Sequence, residues 1–94
     1  MRKAPEHLSP ASKRLHDSLL EEFEQSDGEY EVLIAALDAK DLLEMARAQL
    51  ANDGLMVEGS KGQPASHPCV LVVRDARTQY ANLLRQLGLD REER

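Results

Sequence analysis

Apolar residues recur along this chain at intervals of three and four, and those intervals mark out helices. Ala11, Leu15, Leu19 and Phe23 stand four apart, with Leu20 widening the stripe, which predicts a helix from about Pro10 to about Gln25. Ser9 caps it, and Pro10 takes the first helical position, where a missing N–H costs nothing. Ser26-Asp27-Gly28-Glu29 is a stop and a restart, since Ser26 followed by Glu29 fits a capping box. A second helix then runs from about Gly28 to Ala51. Tyr30, Leu33, Ile34 and Leu37 form its first stripe; Leu42, Leu43, Ala46 and Leu50 form its second. Lys40-Asp41 interrupts them, so the buried face is expected to drift around the helix. Such a helix contacts its own domain with one stripe and a neighbouring subunit with the other. Asn52-Asp53-Gly54 ends it, with Gly54 as the expected left-handed residue.

Leu55-Met56-Val57 reads as a short strand, Gly59 to Gly62 as a turn, and Gln63 to Ser66 as an antiparallel return. Pro64 lacks an N–H, which keeps that arm short or on an edge. A two-stranded hairpin is marginal alone and must lean on the helices or on another copy. After Pro68 two signals compete. Val70 to Val73 has strand propensity. Cys69, Val72, Val73, Ala76, Tyr80, Leu83, Leu84 and Leu87 nevertheless keep helical spacing without a break. The expectation is one helix from Pro68 to Leu87, about 30 Å long, closed by Gly88. The fold class is therefore mainly α: helix, long helix, short β-hairpin, long helix, in a single small domain that oligomerises. Residues 1–8 are expected to form a flexible tail, 9–89 the helical domain and 90–94 a frayed charged tail.

Composition narrows this picture. A chain of 94 residues with one Phe, two Tyr and no Trp builds one domain with an aliphatic core, which suits packed helices. Two long helices and a hairpin carry more apolar stripe than so small a domain readily buries, and Leu20, Leu42, Val70 and Leu71 fall off the main stripes. The expected oligomer interface is Leu42, Leu43, Val70, Leu71, Tyr80, Leu83 and Leu84.

The net charge of -5 is unevenly spread. Residues 1–16 hold Arg2, Lys3, Lys13 and Arg14 against Glu6 alone, whereas acids dominate from Asp17 to Asp53. An acidic chain is a poor general polyanion binder. Contact with nucleic acid therefore falls to Arg2, Lys3, Lys13 and Arg14, or to an assembly of copies. Arg74, Arg77 and Arg85 along the last helix read as ordinary surface charge.

Catalytic and metal chemistry find little support. His7, His16 and His67 have no nucleophile in a recognisable motif, and no phosphate-binding loop is present. His67 and Cys69 are too few for a zinc site; His67 is expected to order the helix start and Cys69 to pack as a small apolar residue. Clustered acids at Glu21, Glu22, Glu24 and at Asp38, Asp41, Glu44 read as solvated faces. The lone cysteine forms no internal disulfide, no signal peptide is visible and no stretch is long and apolar enough for a membrane span, which fits a reducing cytoplasm.

Several segments occur in a telling order: HLSP at His7 to Pro10, NDGL at Asn52 to Leu55, GQP at Gly62 to Pro64, His67-Pro68, RDAR at Arg74 to Arg77, and LLRQLGL at Leu83 to Leu89. In that order and spacing the chain resembles the short small-terminase subunits of tailed phages and prophages. The resemblance implies a non-enzymatic packaging component that forms a ring, helps recognise DNA and regulates the large terminase subunit, which holds the ATPase and nuclease. The implied partners are copies of itself, the large subunit and double-stranded viral DNA, in the host bacterial cytoplasm, with no cofactor, metal, membrane or small-molecule substrate. Many members carry a longer basic extension before HLSP where this chain has MRKAPE, so a single subunit is expected to bind DNA weakly. Two other readings stand beside this one: a helical adaptor that binds protein only, and a small helical regulator unrelated to packaging.

Overall fold

The computed structural model describes residues 2–89, and 66% of these are helical. The order is α1 (Pro10–Glu22), α2 (Asp27–Asp53), β1 (Met56–Glu58), β2 (Pro64–Ser66) and α3 (Cys69–Gln86). The mainly α class and the helix, long helix, hairpin, long helix order match the expectation. The expected frayed tail from Asp90 to Arg94 lies outside the described residues.

Local capping sets most boundaries. The Ser9 hydroxyl accepts the Ser12 N–H at 3.1 Å, with Pro10 at the first helical position. Ser26 and Glu29 form both halves of the capping box, at 3.1 and 2.9 Å. α1 ends three residues earlier than its stripe suggests, because Phe23 turns to an extended conformation (φ -131°, ψ 131°) that leads into the cap. α2 starts one residue earlier and ends two residues later than expected, and side-chain bonds from Gln49 and Asn52 to Asp53 tie its last turn. Gly54 has positive φ as expected, but its ψ of 169° is extended rather than left-handed helical, so the chain leaves α2 directly into β1. At the far end Gly88 (φ 72°) closes α3 in a Schellman arrangement: Leu89 N–H bonds to Leu84 O and Gly88 N–H to Arg85 O.

The stripe expected on α1 is only half used. Leu15, Leu19 and Leu20 pack on the core, whereas Ala11 and Phe23 are exposed. The buried residues of α1 are Ser12 and His16, both 0% exposed. The core they adjoin is Leu8, Leu33 and Leu37, with Leu15, Leu19, Leu20, Tyr30 and Leu87 around it. The described part of the expected tail thus lies against the helices, and Leu8 within it is 3% exposed.

The buried face of α2 does drift. Leu33, Ala36 and Leu37 are buried in its first half; Ala39, Leu43 and Ala46 are buried in its second. α3 packs back along α2, and buried Ala36, Ala39, Ala46 and Ala76 are small enough to allow close approach. The strand propensity of Val70 to Val73 is overridden because helix turns Val72, Val73 and Ala76 off the exposed face. The hairpin pairs Met56 with Ser66, Val57 with Ala65 and Glu58 with Pro64. Val57 and Ala65 are half-buried, and Met56 faces out.

The molecule is elongated, 53 × 27 × 24 Å, with a radius of gyration of 16.3 Å. A globule of this length has a radius of about 12 Å. Such a shape leaves long helix faces bare.

Candidate nucleic-acid and subunit interfaces

Three of the four N-terminal cations line one basin along α1, and each already faces a carboxylate. Arg2 pairs with Asp27 and lies 4.1 Å above the Tyr30 ring. Lys3 and Lys13 both approach Glu6, at 3.8 and 3.9 Å. The shallow basin they line also holds Asp17 and Glu21, so its charges balance rather than favour a phosphate. Arg14 is exposed and has no ion partner among the described residues.

A polar network fixes where this basin sits. The Asp41 carboxylate of α2 accepts the Ser9 N–H at 2.8 Å, the Ser9 hydroxyl at 2.7 Å and the Ser12 hydroxyl at 2.6 Å. Burial alone would raise its pKa, but the bonds from Ser12 and Ser9, helped by the Lys40 charge, hold it below the ordinary carboxylate value. His16 lies between Asp17 and Tyr30, at 2.9 and 2.8 Å. The Asp17 carboxylate can only accept, so Nδ1 donates to it, and in the neutral ring Nε2 accepts a hydrogen bond from the Tyr30 O–H. His7 reaches Asp38 at 2.6 Å. The sequence pattern places Asp38 and Asp41 on a solvated face and Tyr30 in an apolar stripe. The structure makes Asp41 and Tyr30 the posts to which the N-terminal segment and α1 are tied.

At the hairpin, His67 is buried. Its Nδ1 accepts the Cys69 N–H at 3.0 Å, so the ring proton is on Nε2 and is donated to Asp53 at 2.9 Å. This is the ordering role expected of His67, now with its partner named. Hydrogen bonds from Gln49, His67 and Asn52 lower the Asp53 pKa. Among the described residues no three of His, Cys, Asp and Glu are grouped to hold a metal.

The expected interface residues divide. Leu42 and Leu71 point outward, 47% and 55% exposed. Val70, Tyr80, Leu83 and Leu84 are half-buried. Leu43 is 5% exposed within the chain itself and has no face left for a neighbour in this conformation. The Tyr80 pKa is raised by burial and by the charge of Glu44 on α2. The sequence reading missed Met45 as an outward apolar residue, although at 70% it is the most exposed of the large ones among the described residues. Its spacing from Leu42 was the available signal.

Among the described residues no helix is long and apolar enough to cross a membrane. No curated protein and no solved structure matches the chain. The profile of the family described as phage terminase, small subunit, matches residues 12–94. That match begins inside α1 and takes in α2, the hairpin and α3. The chain belongs to the phage terminase small subunit family and has a role in phage DNA packaging.

Proposed function

We propose that this protein acts without catalysis of its own, as an oligomeric ring that engages viral DNA and regulates the large terminase subunit. The observation that carries the reading is the family match over residues 12–94. The elongated protomer supports it, with Leu42, Met45 and Leu71 left outside. A ring also answers the weak charge of one subunit, because repeated sites raise effective concentration. Lys13 and Arg14 are the basic residues of α1, and the ring repeats them around its circumference. Light scattering on the purified chain, alone and with a labelled duplex at low salt, tests both parts. The expected result is a closed assembly of many chains that co-migrates with DNA. Lys13→Glu with Arg14→Glu is expected to weaken duplex binding and leave the mass unchanged. Unchanged duplex binding would remove these residues from the DNA contact.

The ion pairs of Arg2, Lys3 and Lys13 favour a second reading, an adaptor that binds protein only. That reading predicts an assembly with no duplex affinity at low salt.

A further inference from the structure

Beside its buried stripes, α2 carries a second row of positions spaced alternately four and three apart, the spacing of a seam between paired helices. Glu31, Ala35, Asp38, Leu42, Met45 and Gln49 occupy it, and all six are exposed. α3 has a row of the same spacing on the side away from buried Ala76. Leu71, Arg74, Thr78, Ala81 and Arg85 occupy that row, and all five are exposed. The two rows are opposite in character. Along α2 the row passes from acidic to apolar; along α3 it passes from apolar to basic.

We infer that these rows dock on each other between copies, α2 of one subunit against α3 of the next, antiparallel. The inference rests on the ring reading above and names its interface. Glu31 and Met45 are fourteen residues apart, as are Leu71 and Arg85, about 21 Å along either helix. One antiparallel register therefore sets Glu31 beside Arg85 and Met45 beside Leu71. The same register brings Ala35 opposite Ala81, where two small side chains let the helices approach. Arg74 falls opposite Leu42, offset from Asp38 by four residues, about 6 Å along the helix.

Charge selects the occupant. α2 holds seven acids against two bases, and α3 holds three arginines against one acid. Pairing α2 with α2, or α3 with α3, would set like charges together. The two rows are different surfaces of the protomer, so their contact is heterologous. Heterologous contacts propagate head to tail instead of stopping at a dimer, and they form a ring when the rotation between neighbours closes. The rows also have local partners: Arg74 bonds Asp75 at 3.1 Å, Arg85 bonds Asn82 at 2.7 Å, and Asp38 bonds His7. Exposed pairs of this kind are weak and exchange readily for partners on a neighbour.

The test is a charge swap in the full chain, read by light scattering, with circular dichroism to verify helix content. Variant one carries Glu31→Arg and Asp38→Arg; variant two carries Arg74→Glu and Arg85→Glu; variant three carries all four. The expected result is a several-fold fall in mass, to that of a single chain, for variants one and two, and recovery of the assembly in variant three. If the natural sequence assembles and all three variants keep its mass, the docking is wrong and the ring reading stands. If variant three stays dissociated, the pairing of these two rows is wrong. If variant two keeps its mass but loses duplex binding, the arginines belong to a DNA contact and the docking falls. A natural chain that stays monomeric at every concentration overturns the ring and the docking together.

Discussion

The two halves of α2 are held by different chemistry. Its first half and midpoint meet the N-terminal segment and α1 through an aliphatic cluster ringed by polar contacts: Arg2 on Tyr30, His16 on Tyr30, His7 on Asp38, Ser9 and Ser12 on Asp41. Its second half meets α3 with leucine and alanine, and at the hairpin His67 bonds Asp53. Apolar burial supplies attraction without direction, whereas hydrogen bonds fix position. α1 is a short helix with little stripe, so directional bonds must set where it sits on α2. α3 is long, and the hairpin that precedes it already sets its direction.

The largest expected effect strikes the point where both regions meet. Leu33 is fully buried in the cluster that includes Leu8 from the N-terminal segment and Leu87 beyond the end of α3. Leu33→Ala is expected to cost about 3 kcal/mol, a large part of the stability of so small a domain. Urea unfolding followed by circular dichroism measures the loss. If the two regions form one cooperative unit, amides of α1 and α3 lose protection against hydrogen exchange together. Loss confined to α1 would show that the α2–α3 pair stands alone.

Gly54 tests the second region by itself. Its φ of 82° and ψ of 169° lie in a region that essentially only glycine occupies, and no atom lies within 4 Å of an added Cβ. Gly54→Ala therefore acts through backbone strain alone and is expected to cost about 2 kcal/mol. The thermal midpoint should fall, with faster exchange in the hairpin than in α1. An unchanged midpoint would mean that the exit from α2 relaxes at no cost.

Asp41→Ala does the converse in the first region. Three hydrogen bonds are lost and two hydroxyls are stranded, an expected cost of about 1–2 kcal/mol. Amides of α1 should exchange faster while those of α3 hold. The carboxylate has a folded pKa below its unfolded one, so its contribution is complete above that unfolded value, near pH 4. The contribution is lost as pH falls through the depressed folded value. Acid titration of stability should be shallower in Asp41→Ala than in the natural sequence. Equal slopes would remove Asp41 as the acid-sensitive tie.

What could be read from the sequence followed how local each cause is. The caps at Ser9 and Ser26 and the stop at Gly88 depend on residues within a few positions, and all three were legible. The drift of the α2 stripe was legible too, since Lys40-Asp41 breaks the periodicity in place. The ties of the N-terminal segment were not, because Arg2, His7 and Ser9 reach partners 25 to 32 residues away. Ser12 and His16 carry no hydropathy signal that marks them as buried. Leu42 was legible as lying off the main stripes, but that its neighbour Leu43, expected at the same interface, is buried follows from the position of α3. The outward seam was hidden for the same reason: its acids and arginines read as solvated until the buried sides of α2 and α3 were known.

The smallest expected effect concerns the polar tie at the hairpin, between His67 and Asp53. Asp53→Asn keeps an oxygen that accepts the His67 Nε2–H but removes the charge that strengthens the bond. His67→Ala removes that bond and also the acceptor for the Cys69 N–H. The two variants separate what the carboxylate does from what the imidazole does. Hydrogen exchange at Cys69 should rise strongly in His67→Ala and only slightly in Asp53→Asn, if packing alone orients the ring. Equal increases would show that the carboxylate aims the ring, and that the start of α3 is set by a relay from the end of α2. The folded pKa of Asp53 is also lowered, so its share of stability is present at neutral pH and fades as pH falls through that lowered value. A relay would therefore make the start of α3 fray on acidification while Asp41 releases α1, and the two ends of the molecule would loosen in the same acid range. With packing in control, only α1 loosens, and the contrast between the two halves of α2 sharpens as the pH drops.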